Sequence, residues 1–192
     1  MNGLEKGPDG KPRCPWGLST PDYIDYHDSE WGRPLHGESE LFERLTLEAF
    51  QSGLSWLTIL RKRENFRKAF DRFDIDRVAA YGNNDFKRLM EDAGIVRNRK
   101  KIEAAITNAQ AIHELHASGE TLDELVWSFS PAPDSRPVPA KLSDLEPTTP
   151  ESKALAKELK RRGFVFVGPT TAYATMQAAG LVNDHLEGCV FR

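Results

Sequence analysis

Residues Leu41 to Arg67 have the sequence LFERLTLEAFQSGLSWLTILRKRENFR, and the spacing of its apolar side chains predicts two consecutive amphipathic helices. The first helix is expected to begin near Ser39 and end near Gly53, and the second to begin near Trp56. The apolar positions that recur at helical spacing are Leu41, Phe42, Leu45 and Ala49, then Trp56, Ile59, Leu60, Phe66 and Phe70. Helices with such faces bury them against one another, so a helical core is expected here.

A helix, a tight hairpin and a second helix are predicted next along the chain. Apolar side chains follow Asn84 at helical spacing up to Gly94, whose lack of a side chain suits the end of a helix. The same spacing resumes at residue 102, eight positions after Gly94, and continues over residues 102–112. A helix-hairpin-helix is therefore expected at approximately 84–112.

Start signals predict three further helices towards the C-terminus. Thr121 with Glu124 three positions later forms a capping box. Thr149 followed by a proline opens another helix, and a last one is expected from about Thr170 to Ala179. The stretch between the first two, residues 131–150, carries six of the twelve prolines and is expected to be mainly loop.

These patterns predict an all-α fold in a single domain over residues 14–192. Only residues 164–167, FVFV, have β character, and one run of four cannot form a sheet. Residues 1–13 are polar and rich in Gly and Pro, which predicts a flexible leader outside the fold.

Composition excludes several classes of protein. The 192 residues are 39% hydrophobic and 29% charged, which is typical of a globular chain and not of a disordered one. No apolar run approaches the roughly 20 residues that cross a bilayer, and two cysteines are too few for a disulfide scaffold. We expect no membrane association and a reducing, cytoplasmic location.

The formal charge of -3 disfavours a polyanionic partner, but the charges are unevenly distributed. Residues 56–101 hold 13 Lys or Arg against 7 Asp or Glu, a local +6, whereas residues 102–152 hold 2 against 9, a local -7. The hairpin contributes Arg97, Arg99, Lys100 and Lys101. Such a hairpin can position a protein on nucleic-acid phosphates, although a basic helix face that only contacts water has the same pattern.

Both cysteines have a histidine nearby, at opposite ends of the chain. Cys14 precedes His27 by thirteen positions, and His185 precedes Cys189 by four. Two thiolates and two imidazoles suit a tetrahedral Zn²⁺ site with no open position, which would be structural and would join the termini. The spacing matches no zinc finger, so two unrelated buried cysteines remain an equal alternative.

Glu48 falls on the apolar stripe of the first helix, three positions after Leu45. A buried carboxylate needs a partner, either nearby backbone or a cationic or hydrogen-donating ligand. Trp56 follows eight residues later, and Tyr23 and Tyr26 stand just before His27. Together they could bind a flat, electron-poor ring, with the aromatic rings on its faces and Glu48 at its edge; ordinary core packing is the alternative.

Long stretches of the chain resemble the 3-methyladenine DNA glycosylase I family (Tag type), within the helix-hairpin-helix superfamily of DNA repair enzymes. The resemblance covers nearly all of the chain after the leader. It is carried by RCPW at 13–16, DYIDYHDSEWG at 22–32, the quoted stretch at 41–67, DAGIVRNRKKIEAAITNA at 92–109, VWSF at 126–129 and KRRGFVFVGPTTAYATMQAAGLVNDHLEGC at 160–189.

The resemblance implies a mostly helical fold in which a zinc-binding end region and a helix-hairpin-helix lobe face each other across a base-binding pocket. Cys14, His27, His185 and Cys189 fall on the family's zinc-ligand positions. Tyr26, Glu48 and Trp56 fall on its base-pocket positions, with Tyr23 beside them. Of the superfamily's glycine-rich hairpin signature only Gly94 is present between residues 94 and 101, and no aspartate corresponds to the catalytic one of many superfamily members.

The implied activity is hydrolysis of the N-glycosidic bond of 3-methyladenine in alkylated double-stranded DNA, with the free base as product and Glu48 as the catalytic residue. We expect a monomer, because one molecule must enclose one lesion. Two alternatives remain at this point. One is a bifunctional glycosylase with Lys100 or Lys101 as Schiff-base nucleophile. The other is a zinc-clasped DNA-binding module without catalysis.

Overall fold

The computed structural model describes residues 3–132 and 135–192, and the regular secondary structure of this part of the chain is almost entirely helical. Its α-helices are α1 (Pro21–Ser29), α2 (Glu38–Gln51), α3 (Trp56–Ala69), α4 (Ile75–Ala79), α5 (Asn83–Glu91), α6 (Arg99–Ala117), α7 (Leu122–Trp127), α8 (Pro150–Arg161) and α9 (Pro169–Ala178). Short 3-10 turns lie at Pro15–Leu18, Asp71–Phe73 and Leu142–Asp144. The all-α class is confirmed. Among the described residues, no helix combines the length and the apolar character that crossing a membrane requires.

Helix α2 is buried on nearly every side, rather than on one face as its spacing predicts. Helices α3, α6, α7 and α9 all pack against it. From Leu41 to Phe50 only Glu43 is not fully buried. Because α2 has no solvent face over this length, its polar side chains Arg44, Thr46 and Glu48 lie inside the protein.

Capping side chains explain why the predicted helices begin where they do. Ser55 accepts a hydrogen bond from the Thr58 amide at the start of α3 (3.2 Å), and Thr121 accepts one from the Glu124 amide at the start of α7 (3.1 Å). Thr149 likewise caps α8. Each bond satisfies an amide that the first turn of a helix leaves free.

Two helices were not predicted, and one apolar run is not a strand. Thr20 caps α1 by accepting from the Tyr23 amide (3.3 Å), and α4 begins after Asp74. Residues 164–167 form a loop because the backbone of Val165 pairs with the side chain of Asn108, which accepts at 2.8 Å and donates at 3.1 Å. A side chain thus replaces the partner strand.

The segment predicted as a flexible leader contains a two-stranded antiparallel hairpin, β1 (Glu5–Lys6) and β2 (Pro12–Arg13). Arg13 is only 3% exposed and forms ion pairs with Asp9 (2.6 Å) and Asp28 (2.8 Å). The ion pairs and the buried guanidinium fix this segment, which the Gly and Pro content alone did not reveal. Residues 1 and 2 of the leader, and Pro133 and Asp134 of the proline-rich loop, lie outside the described residues.

Candidate functional site

A cavity of about 210 Å³ opens where α1, α2, α3 and α9 meet. Its lining residues are Trp16, Tyr23, Tyr26, Trp31, Glu48, Gln51, Trp56, Ala174 and Gln177. The structure therefore brings together all four residues for which the sequence predicts a ring-binding role: Tyr23, Tyr26, Glu48 and Trp56. Aromatic walls with a single carboxylate suit a flat ligand that carries hydrogen-bond donors or positive charge.

Glu48 is the only carboxylate among the lining residues that the structure gives this cavity. It is 6% exposed, and its oxygens have no hydrogen-bond partner among the described residues. Burial raises its pKa to about 7, an effect that the positive charge of Arg44 partly offsets. A carboxylate held this way can accept hydrogen bonds from a ligand and gains stability from a cationic one.

Tyr26 and Trp56 form one continuous wall of the cavity. Their ring centroids lie 5.4 Å apart and their planes are tilted by 46°, so the rings contact each other. A flat ring inserted between them would need roughly 3.5 Å on each side. The two rings therefore cannot enclose a ligand in this arrangement, and it must lie against the wall. The indole Nε1 of Trp56 is buried and has no partner among the described residues.

Tyr23 combines a place in the cavity wall with a structural contact. Its hydroxyl accepts a hydrogen bond from the Leu57 amide in the first turn of α3, at 2.9 Å. The pKa of Tyr23 is raised, mainly because burial disfavours the phenolate. Tyr23 thus fixes the start of α3, and with it the neighbouring Trp56.

Sequence reasoning missed five lining residues: Trp16, Trp31, Gln51, Ala174 and Gln177. Gln177 is held by Asp184, which accepts a hydrogen bond from its amide nitrogen at 2.9 Å. Because that nitrogen is engaged, the amide oxygen of Gln177 is the group left for other partners. Trp16 and Trp31 lie close in sequence to predicted metal ligands, and this proximity was a signal that they belong near the site. Ala174 and Gln177 on α9 reach the cavity only through tertiary contacts, which the sequence pattern does not reveal.

The four predicted metal ligands, which come from opposite ends of the chain, meet in one buried cluster. The ligand atoms of Cys14, His27, His185 and Cys189 all lie within 4.8 Å of one another. The Cys14 and Cys189 sulfurs lie 3.8 and 3.6 Å from His185 Nδ1, and Cys189 Sγ lies 3.7 Å from His27 Nε2. A tetrahedral zinc with bonds of about 2.0–2.3 Å requires donor separations of roughly 3.3–3.8 Å. The donor set and its spacing fit a metal ion.

The surroundings of this cluster orient the ligands as a metal site requires. His27 Nδ1 lies 2.8 Å from an Asp28 oxygen, and His185 Nε2 lies 2.9 Å from the Trp31 carbonyl oxygen, so the other ring nitrogen of each faces the cluster. The Leu186 amide donates to Cys14 Sγ at 3.3 Å, which favours a thiolate.

The cluster also supports the cavity. Trp31 binds His185 through its carbonyl and lines the cavity with its side chain. The ring of Trp16, a second lining residue, lies 5.1 Å from that of His27. The wall formed by Trp16 and Trp31 therefore depends on the order of the metal ligands.

The predicted DNA contacts separate into two groups. Arg97, Arg99 and Lys100 are exposed at the hairpin between α5 and α6, and Gly94 is partly exposed. Lys101 is only 7% exposed, and its ammonium donates to the carbonyls of Phe50 (2.7 Å) and Ser52 (2.5 Å) at the end of α2. The predicted phosphate contact of Lys101 is therefore wrong, because its ammonium donates to these carbonyls inside the protein.

Much of the basic charge on α3 is already neutralised. Arg61 pairs with Asp22, Arg63 with Glu30 and Arg67 with Glu43. Lys62 donates to the backbone carbonyls of Ala93 and Gly94. The local +6 therefore overstates the charge that this helix offers to a polyanion.

The sequence model of the methyladenine glycosylase family matches residues 16–192. The chain belongs to this family. It is 49% identical over 177 residues to DNA-3-methyladenine glycosylase 1 of Escherichia coli (strain K12), covering 92% of this chain and 95% of that protein. The family resemblance given by the sequence motifs is confirmed.

Solved structures of methyladenine glycosylases have the same fold as this chain. A crystal structure of 3-methyladenine DNA glycosylase I superposes with a TM-score of 0.87 at 49% identity, covering 93% of this chain and 98% of that one. A structure that describes 3-methyladenine recognition by the Staphylococcus aureus enzyme superposes with a TM-score of 0.84 at 36% identity, covering 93% and 95%.

Proposed function

We propose that the protein is a DNA-3-methyladenine glycosylase, which hydrolyses the N-glycosidic bond of 3-methyladenine in alkylated double-stranded DNA and leaves an abasic site. The observation that carries the proposal is Glu48, a buried carboxylate without a partner among the described residues, at the edge of an aromatic cavity. The relative from Escherichia coli bears the name of this activity. Release of 3-methyladenine from methylated DNA tests the proposal.

Glu48 and the wall of Tyr26 and Trp56 recognise the flipped base. Alkylation at N3 gives adenine a positive charge, which favours stacking on an aromatic wall and contact with a carboxylate. Glu48 accepts hydrogen bonds from the exocyclic amine edge of the base, and Tyr23 supports the wall from α1. Unmodified adenine is neutral and gains less from the same groups.

The chemistry needs little help at the leaving group. A cationic base departs without a general acid as the bond from N9 to C1′ breaks, and the sugar develops oxocarbenium character. Water then bonds to C1′ and loses a proton, while the base leaves as neutral 3-methyladenine. Glu48 is the catalytic residue because its charge binds the cationic base and also stabilises the positive charge that passes to the sugar as the bond breaks; no aspartate is assigned a role.

The Cys14, His27, His185 and Cys189 cluster holds a structural Zn²⁺. Two sulfur and two nitrogen ligands leave no position for water, which suits a structural and not a catalytic ion. The carboxylate of Asp28 behind His27 supports this, as does Arg13, whose guanidinium holds Asp28 at 2.8 Å. When bound, the ion joins the two ends of a single domain over residues 14–192.

A helix-hairpin-helix at approximately 84–112 places Gly94, Arg97, Arg99 and Lys100 against DNA phosphates. The contact between this hairpin and the end of α2, beside the pocket, supports this assignment. Lys101, next in the chain, donates to the carbonyls of Phe50 and Ser52, which flank the lining residue Gln51. Phosphates bound at the hairpin therefore lie beside the turn that leads into the pocket.

A second hairpin, between α8 and α9, offers similar chemistry. Residues 162–168 connect the two packed helices, and α9 then contributes Ala174 and Gln177 to the pocket. Phe166 is 40% exposed with φ of 62°, a conformation that bulky residues avoid and that is often found at functional sites. With Lys157 and Lys160 exposed on α8, this hairpin contacts the same duplex.

Charge reversal at either hairpin is expected to weaken DNA binding. Arg97→Glu with Lys100→Glu, and separately Lys157→Glu with Lys160→Glu, should each raise the Kd for duplex DNA about ten- to hundredfold at low salt, with a shallower salt dependence. Fluorescence anisotropy at several salt concentrations measures both effects.

Arg77→Glu is the matched control, because Arg77 lies on α4, against the far half of α6. There Asp76 bonds His113, about 20 Å along the helix from Arg99. We expect this control to leave Kd unchanged. If a double reversal at one hairpin also leaves Kd unchanged, that hairpin does not belong to the DNA interface.

The enzyme is monofunctional and acts as a monomer in the cytoplasm. The bifunctional alternative needs a free lysine amine, and the Lys101 ammonium is held by two carbonyls. Lys100 is exposed and is not among the residues that line the pocket. A cytoplasmic location agrees with two free cysteines reserved for metal binding.

A further inference from the structure

Arg44 has a buried guanidinium to which the proposed reaction assigns no role. It lies on α2, one helical turn before Glu48, and is 7% exposed. Residues four apart on a helix lie on the same side, so the Arg44 charge is carried into the same region as the Glu48 carboxylate. A guanidinium is costly to bury without partners.

Its contacts are directed at the pocket wall. Arg44 Nη1 donates to the hydroxyl of Tyr26 at 3.2 Å, and the guanidinium carbon lies 5.6 Å from the centre of the Tyr26 ring. The ring of Tyr26 also contacts that of Trp56. Arg44 therefore helps to fix both the hydroxyl and the ring of Tyr26.

The charges around Arg44 do not cancel without Glu48. Its Nη2 lies 3.5 Å from Glu30, but Glu30 already accepts two hydrogen bonds from Arg63, one of them at 2.8 Å. Glu30 is thus neutralised by Arg63, and the positive charge of Arg44 remains for Glu48. No direct hydrogen bond joins Arg44 to Glu48 among the described residues, which leaves the carboxylate free for a ligand.

The other groups that face Glu48 cannot replace this charge. Helix α1 contributes the phenols of Tyr23 and Tyr26, and Glu30, which follows it, contributes a carboxylate. Helix α3 contributes Arg63, and α9 contributes the uncharged Gln177. The pKa of Tyr26 is raised, chiefly by burial, so its phenol stays neutral. Arg44 is the charged group that opposes the effect of burial on the pKa of Glu48.

We propose that Arg44 is a positioning residue for base excision, which holds Tyr26 against Trp56 and places a positive charge on the same side of α2 as the Glu48 carboxylate. The proposal rests on the function proposed above for Glu48. On this proposal, Arg44 sets the pH range of activity without touching the base.

The test is the titration of Glu48 in Arg44→Met, in which the Glu30 pair with Arg63 remains. ¹³C NMR of labelled glutamate carboxyls, with Glu48 assigned by its absence in Glu48→Gln, measures the midpoint directly. We expect the midpoint to rise by about one pH unit. The acid side of the kcat/KM profile for excision should move upward by the same amount, with activity retained at high pH.

Arg67→Met is the matched control, because Arg67 is a partly buried arginine on α3 that pairs with Glu43 on α2 and is not among the residues that line the pocket. Arg44→Gln repeats the measurement if the methionine variant does not fold, since it removes the charge and keeps a donor. An unchanged Glu48 midpoint in the folded variant overturns the proposal. If the unmodified protein releases no base, the proposed excision fails, while the NMR midpoint still decides the role of Arg44.

Discussion

Glu48→Gln is expected to lose most base excision while making the protein more stable. The glutamine keeps the size of the side chain but removes the charge that stabilises the cationic base, so kcat/KM should fall about hundredfold or more. Single-turnover release of 3-methyladenine from methylated DNA measures this loss.

The gain in stability follows from the pKa of Glu48. It rises from 4.5 to about 7 on burial, so the folded protein binds this proton more tightly than the unfolded chain. The resulting stabilisation is complete below pH 4.5 and is lost as the pH rises through 7. At pH 8 glutamine removes a buried charge, and we expect about 1–3 kcal/mol of added stability, a rise in Tm of several degrees.

Glu43→Gln is the control for this pair of effects. Glu43 lies on the same helix but pairs with Arg67 at 2.8 Å, so its loss should lower stability slightly and leave excision unchanged. A Glu48→Gln protein that is less stable than the parent, with full excision, would show that Glu48 has a structural role.

Removal of the metal is expected to destabilise the whole domain. Structural zinc contributes many kcal/mol to folding in small domains, and the proposed ion would join the two ends of the chain. Cys189→Ala, or prolonged chelation, should lower Tm by about 10 °C or more, and metal analysis of the unmodified protein should find one zinc per chain.

His113→Ala is the matched control for the metal site, because His113 is exposed and bonds only Asp76 on α4. It should leave Tm and zinc content unchanged. Protein that purifies without zinc and melts at the same temperature before and after chelation would exclude a structural metal.

Much of the fold follows from local signals in the sequence. Apolar spacing and the start signals Thr121 and Thr149 locate the predicted helices to within a few residues, because such caps act through the first turn of each helix. Helix α1 was missed although Thr20 and Pro21 form a comparable start signal, since few of its residues face a core. The N-terminal hairpin depends on the ion pairs of Arg13 with Asp9 and Asp28, and the pairing with Asp28, fifteen residues away, lies beyond local signals.

The site was predictable where one residue conflicts with its local pattern. Glu48 interrupts an apolar stripe, and cysteines with nearby histidines recur at both ends of the chain. Lys101 does not conflict with its local pattern. A lysine near a hairpin predicts a DNA contact, and only the three-dimensional structure shows that its ammonium contacts the end of α2. The basic run on α3 misleads for the same reason, because acidic partners such as Asp22 lie on another helix.

The central claim is tested most directly by incubating the purified protein with N-methylated duplex DNA and identifying the released bases by chromatography. The account predicts that 3-methyladenine is released, that unmodified adenine is not, and that Glu48→Gln reduces the release about hundredfold or more. Protein that binds the duplex yet releases no methylated base would contradict it and identify a zinc-clasped DNA-binding module instead.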